Sequence, residues 1–186
     1  MTGPIKTSGA PPGGKPKKKR KIRLVRTKRQ PLVAGWREWA SLPDLGVSFI
    51  KVKLDTGART SALHAWKIKP FERDGEDWVR FDLYPVQRNK AVRIACEAPL
   101  VGQRIVRSTS GNTEKRYVIR TPLMLGGQER VIEVTLTNRD HMGFRMLLGR
   151  TAMRGRIIVD PARSYLHPAV SSNMPVSGAP ETGAPS

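Results

Sequence analysis

The stretch IKVKLDTGA at residues 50–58 constrains the fold of this chain more than any other. Apolar residues alternate with lysines up to Leu54, which is the period of a strand with one buried face. The strand then runs into Asp55, Thr56 and Gly57. A carboxylate at the end of an apolar strand needs hydrogen-bond donors, and a glycine lets backbone N–H groups approach it closely. The stretch therefore predicts either an ordinary self-capped turn or a turn that presents a functional carboxylate.

A second motif, FRMLLGR at residues 144–150, lies far downstream and ends an apolar run in Gly-Arg. An apolar strand into Asp-Thr-Gly-Ala, a hairpin-rich middle and then two aliphatic residues before Gly-Arg resembles the retropepsin-like aspartic proteases. The longer strings KLDTGARTSALHA, LLGRTAM and IVDP resemble a narrower bacterial branch, the RimK-associated or RimB-type peptidases. Members of that branch have also been labelled "ATP-dependent zinc protease". The resemblance covers roughly residues 35–167.

This resemblance implies an all-β fold: a small closed β-barrel with one short helix and one Asp-Thr-Gly in each subunit. It implies that Asp55 is catalytic and that Thr56 and Gly57 complete the catalytic turn, with Thr56 bracing the site by hydrogen bonds. It also implies a structural loop packed beside this turn, formed by Leu148, Gly149 and Arg150.

Peptide hydrolysis by aspartate needs two carboxylates that share one proton, one acting as general base and the other polarising the scissile carbonyl. The chain contains a single Asp-Thr-Gly. An active enzyme would therefore take its second Asp55 from a twin subunit, so the hypothesis predicts a homodimer. The mechanism requires no cofactor.

Residues 108–113, STSGNT, predict the tip of a hairpin and are a candidate flap over the substrate. An ordinary surface hairpin has the same composition. The basic residues near the turn and the tip are each more typical of solvated surface, but together they favour an acidic peptide substrate. The candidate substrate-binding residues are Ala58, Arg59, Arg107, Ser110, Gly111 and Arg116. The resemblance also favours an acidic peptide substrate, since RimK-type ligases append glutamates that a partner peptidase would trim.

Charge divides the chain into three predicted parts. It holds 34 Lys and Arg against 15 Asp and Glu, a net charge of +19, and residues 1–30 contain eleven of the basic residues and no acidic one. We expect a disordered basic arm over 1–30, a protease domain over 31–167 and a disordered tail over 168–186. The arm is either a contact for RNA, the ribosome or an acidic protein, or a solvated tail that aids solubility.

The remaining composition bears on compartment and metal binding. The single Cys96 favours a reducing, cytoplasmic location, and neither a secretory signal nor a membrane span is predicted. No P-loop and no His-Glu-x-x-His occurs, and His64, His141 and His167 are widely scattered. We therefore expect no metal site, with His64 packed beside the catalytic turn.

Short alternating segments between turns predict an all-β domain. Beyond the strands flanking the two motifs, we expect separate short strands at 91–96 and 104–107, and strands near 78–84, 117–120, 131–137 and 157–159. Residues 60–64 are predicted as a helical turn, and 151–153 as the short helix.

Two rival functions remain open at this stage. One is a catalytically idle fold that binds and regulates a RimK-type ligase or a ribosomal protein, although such a module has no need of the Asp55 carboxylate. The other is a nucleic-acid-binding protein driven by the basic arm. Against the latter, the tryptophans alternate with apolar residues as core aromatics do, and no nucleic-acid-binding motif is present.

Overall fold

The strand predicted before Asp55 forms as β3 (Val47–Leu54). Its alternation is realised, since Ile50, Val52 and Leu54 are buried. On one side β3 pairs antiparallel with β2 (Arg37–Leu42), its neighbour in sequence. On the other side it pairs in parallel with β10 (Met146–Leu148), which comes from the second motif. This parallel pairing brings the two motifs together.

The structure is a computed structural model that describes residues 30–87, 89, 91–107, 111 and 113–169. The predicted basic arm, apart from Gln30, and nearly all of the predicted tail lie outside these residues. The other elements are β1 (Leu32–Gly35), a 3-10 turn (Pro43–Leu45), β4 (Ser61–His64), β5 (Trp66–Arg73), β6 (Glu76–Leu83), β7 (Ile94–Arg107), β8 (Thr113–Leu125), β9 (Gln128–Thr137), α1 (Arg150–Met153) and β11 (Ile157–Asp160).

Nine strands form one sheet in the order β2-β3-β10-β4-β9-β8-β7-β6-β5, and β1 and β11 form a separate parallel pair. A further pairing of Ser41 on β2 with Met124 on β8 returns the sheet onto itself and makes a ring of six strands. The described residues are thus nearly all β, with α1 as their α-helix, as predicted. The small closed barrel stays a prediction, which this ring supports.

The core is apolar and includes the ends of both motif strands. Leu42, Ile50, Leu63, Leu136 and Met146 are almost completely buried. Each such side chain contributes roughly 1.5–3 kcal/mol by leaving water. Because the last residues of β3 and β10 are buried in this core as well, the loops that follow them start from fixed positions.

Two details of the predicted secondary structure are wrong. Residues 61–64 form strand β4 instead of a helical turn, because they pair with both β9 and β10 and bury their side chains there. The expected short strands at 91–96 and 104–107 are instead one strand, β7, which begins at Ile94 and runs through 104–107. A register shift between Leu100 and Gly102 lets one long strand pair with β6 in its first part and with β8 in its second. No helix in the described ranges is long and apolar enough to cross a membrane.

Candidate functional site

The Asp55 carboxylate is held by the backbone of its own turn. Its Oδ1 accepts hydrogen bonds from the backbone N–H groups of Gly57 at 3.0 Å and Ala58 at 3.1 Å. The Lys53 Nζ lies 3.6 Å from Oδ2, and the Asp55 side chain is 25% exposed. Donors fixed in the backbone hold a carboxylate in one orientation, so Asp55 is positioned and still reachable from solvent.

The second motif packs directly against this turn. The Leu148 carbonyl accepts the Asp55 N–H at 2.9 Å. The Arg150 Nη1 donates to the carbonyls of Thr56 at 2.8 Å and Gly57 at 2.7 Å. One guanidinium nitrogen therefore holds two successive carbonyls of the turn. Leu148 and Arg150 thus both contact the backbone of the turn at Asp55 directly.

Gly149 makes the close approach possible. A Cβ at this position would lie 2.5 Å from the carbonyl carbon of Thr60. The Gly149 N–H donates to the Ser61 Oγ at 3.2 Å, and the next N–H, of Arg150, donates to the Ala58 carbonyl at 2.9 Å. The glycine is required by lack of space, since its φ of −88° is open to any residue.

Asp55 opens into a cleft of about 1350 Å³. Among the predicted site residues, the cleft brings together Asp55, Gly57, Ala58, Arg59, Arg107 and Arg116. Thr56, Gly111 and the three residues of the supporting loop do not line it. The exposed Thr56 instead contributes its backbone carbonyl to the contact with Arg150.

The hairpin predicted to carry a flap is formed by β7 and β8, whose pairing runs up to Arg107 opposite Thr113. Residues 103–107 line the cleft, so the end of β7 borders the space in front of Asp55. Gly111 is exposed and has a φ of +84°, as a tight hairpin tip requires. Ser110 and most of the tip lie outside the described residues, so the flap stays a prediction.

The charge of the cleft is strongly one-sided. The described residues that line it include two acidic residues, Asp55 and Glu133, against eight basic ones: Lys53, Arg59, Arg104, Arg107, Arg116, Arg130, Arg139 and Arg156. Such a concave surface attracts anions. Three of these cations, Arg59, Arg107 and Arg116, were predicted from the sequence.

Glu133 is already engaged within the chain. Its carboxylate pairs with Arg104 and with Arg120, the latter at 3.0 Å. These hydrogen bonds, from Arg120 first and then Arg104, lower the pKa of Glu133. Two arginines thus keep Glu133 ionised. A carboxylate held in this form does not readily take the proton that a pair with Asp55 would share.

Two buried arginines escaped the sequence analysis. Arg139 is 9% exposed, and its Nε donates to the Phe144 carbonyl at 3.1 Å. Burial, followed by the charge of Arg116, lowers the pKa of Arg139, while Asp55 opposes this shift. Arg139 is therefore within electrostatic reach of Asp55. Arg130 was the more detectable of the two, because alternation along 130–136 places it on the apolar face of its strand.

The described histidines and the cysteine do not line the cleft in front of Asp55. The His64 Nδ1 accepts the Arg139 N–H at 2.8 Å, and the His167 Nε2 lies 2.8 Å from the Val33 carbonyl oxygen. Burial raises the pKa of the Cys96 thiol to about 11, so it is a poor nucleophile. No three His, Cys, Asp or Glu side chains within the described ranges come close enough together to hold a metal ion.

Comparison with known proteins identifies the family. The model of the RimB-like family, described as "Retropepsin-like aspartic endopeptidase RimB", matches residues 33–169. The chain belongs to the RimB-like family. The resemblance carried by the two sequence motifs is thereby confirmed. The turn at Asp55 and its supporting loop both lie within the matched part.

Relatives of this RimB-like chain carry a different name. It is 54% identical over 134 residues to a probable alpha-L-glutamate ligase of Parasynechococcus marenigrum, and 49% identical over 133 residues to one of Shewanella pealeana. Each match covers 72% of this chain and 29% of the relative, so the chain spans less than a third of their length.

A solved structure supports the fold. A crystal structure of a Legionella pneumophila protein of unknown function superposes with a TM-score of 0.61 at 32% sequence identity. The match covers 73% of this chain and 97% of that protein. Nearly the whole of that protein therefore shares the fold of this chain.

Proposed function

We propose that this RimB-like chain is an aspartic endopeptidase that works as a homodimer and hydrolyses peptide bonds in acidic, glutamate-rich extensions added by a RimK-type ligase. The observation that carries the proposal is the Asp55 carboxylate, held by two backbone N–H groups at the wall of a cationic cleft. Family membership supplies the reaction class.

The chemistry assigns a role to each part of the turn. One Asp55 carboxylate takes a proton from water while a second, protonated one donates a hydrogen bond to the scissile carbonyl. The N–H groups of Gly57 and Ala58 keep the carboxylate oriented through both steps. Arg150 holds the turn by its carbonyls and leaves the carboxylate free to carry the proton.

The acids that line the cleft support the homodimer. The other described carboxylate there, Glu133, is paired with Arg104 and Arg120. A second Asp55 from an identical subunit supplies the missing carboxylate in a matching environment. A closed two-fold arrangement is also the commonest symmetry of homo-oligomers.

The cleft and the relatives together support the proposed substrate. Eight basic residues face two acidic ones in the cleft, so a polyanionic peptide gains attraction over its whole length. The relatives are named as probable alpha-L-glutamate ligases, and their length accommodates this domain together with other parts. An activity that removes glutamates is a natural counterpart of one that adds them.

The same relatives favour a second candidate, a catalytically idle module that binds or regulates a glutamate ligase. A domain that forms part of such proteins can serve by contact alone. One measurement distinguishes the two candidates: whether the purified chain hydrolyses a glutamate-tailed peptide.

We predict that Asp55→Asn abolishes this hydrolysis while the fold survives, because the amide is nearly isosteric but cannot act as a base. Cleavage is followed by mass spectrometry, and folding by circular dichroism and thermal melting. Asp44→Asn, which changes an exposed aspartate outside the cleft, is the matched control and should retain wild-type turnover. Wild-type turnover in Asp55→Asn would reject the aspartic mechanism, and inhibition by EDTA reversed by zinc would replace it with a metal-dependent one.

A further inference from the structure

Arg130 lies on the buried face of β9. Along this strand Arg130, Ile132 and Val134 are buried, whereas Glu129 and Val131 are exposed. Arg130 is only 4% exposed, yet it lines the same cleft as Asp55. A cationic side chain therefore occupies a buried-face position of β9 where an apolar residue would be expected, next to the cleft.

The guanidinium of Arg130 is only partly satisfied. One nitrogen, Nη2, donates to the Gln128 Oε1 at 2.9 Å. The other two, Nε and Nη1, are buried and have no hydrogen-bond acceptor within the described part of the chain. The acids of the cleft are engaged elsewhere, since Asp55 is bound by its turn and Glu133 by two other arginines.

A second cation adds to this imbalance. Burial lowers the pKa of Arg130, and the charge of Arg156 lowers it further, so the two guanidinium groups interact. Arg156 is exposed, follows α1 and also lines the cleft. A buried cation is costly unless an anion pairs with it, and a second cation nearby increases that cost.

We propose that Arg130 and Arg156 form a carboxylate subsite of the cleft, which takes one acidic side chain of the bound peptide. Arg130 is the inner anchor, because its buried Nε and Nη1 lack acceptors and each can donate a charge-assisted hydrogen bond to a carboxylate oxygen. Arg156 lies nearer to solvent and assists capture. The subsite rests on the proposed function, because it assumes that an acidic peptide occupies the cleft.

Binding tests the subsite without catalysis. In the Asp55→Asn background, we measure by calorimetry the affinity for a hexaglutamate peptide and for six versions with one glutamate changed to glutamine. One of these changes should weaken binding to the parent protein by about 10- to 100-fold. Arg130→Met should weaken binding of hexaglutamate by the same factor and should no longer distinguish that glutamine peptide.

Arg80→Met is the matched control, since Arg80 is exposed on β6 and lies outside the cleft. It should leave the affinity within about twofold of the parent. If Arg130→Met and the control bind all seven peptides like the parent, the subsite is wrong. If Arg130→Met instead dissociates the dimer in sedimentation and leaves peptide affinity unchanged, its anion belongs to a second copy of the chain, which also overturns the proposal.

Two further measurements keep the test decisive. Without peptide, Arg130→Met should melt at the wild-type temperature or above it, because the unpaired buried charge is removed. Should this variant not fold, Arg156→Met changes an exposed residue and should lose affinity several-fold for the same glutamate position.

Failure of the subsite is separable from failure of the proposed function. Wild-type hydrolysis with unchanged Arg130→Met binding rejects the subsite alone, whereas selective binding without hydrolysis supports the subsite and rejects the enzyme.

Discussion

Gly149 of the supporting loop packs against the backbone of Thr60, the residue before β4. An added Cβ would lie 2.5 Å from one backbone carbon of Thr60 and 2.6 Å from its carbonyl oxygen, neither of which is the end of a flexible side chain. We predict that Gly149→Ala lowers the free energy of unfolding by about 3 kcal/mol or more, because backbone must move. The melting temperature should fall by roughly 10 °C.

Gly143 provides the control at the same scale. A Cβ there meets nothing within 4 Å, and its φ is not in the left-handed region. Gly143→Ala should therefore melt within about 2 °C of wild type. Equal melting temperatures for the two variants would mean that the loop is looser than the structure indicates.

Among the elements, the carboxylate of Glu133 links three neighbouring strands: it lies on β9 and pairs with Arg104 on β7 and Arg120 on β8. Because the pKa of Glu133 is lowered in the folded protein, its contribution is present above its ordinary pKa of 4.5 and is lost as the pH falls through the lowered value. We predict that Glu133→Gln costs about 1 kcal/mol at pH 7, the upper range for solvent-exposed pairs. The cost should shrink below about pH 4.5.

The measurement is urea unfolding of both proteins at pH 7 and pH 3.5. Glu129→Gln is the control, since Glu129 is exposed on the same strand and is no part of this network. It should show no comparable loss at either pH. A Glu133→Gln cost that is the same at both pH values would assign the effect to packing.

At the scale of the whole molecule, the net charge of +19 should act on the proposed dimer and on capture of the proposed acidic substrate in opposite directions. Two cationic subunits repel each other, and the repulsion is screened over roughly 8 Å at physiological ionic strength. We predict that added salt raises the rate at low enzyme concentration, where dimerisation limits activity. At high enzyme concentration salt should only raise the apparent KM for an acidic peptide, because its attraction to the cleft is screened.

Rates measured across enzyme concentrations at two salt levels separate the two effects. A rate that stays first-order in enzyme down to nanomolar concentrations, with no salt crossover, would indicate a very tight dimer or a monomeric mechanism. Sedimentation of the same samples distinguishes these cases. An active monomer would reject the shared pair of carboxylates.

Local pattern accounts for much of what was predictable here. Alternation before Asp55 marked β3, and the apolar run before Gly149 marked β10, because a half-buried strand must present every second residue to the core. The two motifs also sufficed to indicate the family, which the match over residues 33–169 confirms. These features depend on residues adjacent in the chain, so the sequence alone determined them.

Only the tertiary structure decided which distant segments meet. Residues 61–64 became a strand because two partners from far along the chain were available, and this pairing outweighs local propensity. The cationic cleft likewise gathers side chains from several strands, the turn at Asp55 and the segment after α1. Alternation along β9 marks Arg130 as inward-facing, but its place in the cleft depends on the pairing of β9 with β8. The net charge of the cleft therefore depends on which strands pair over long range, and no local sequence pattern predicts it.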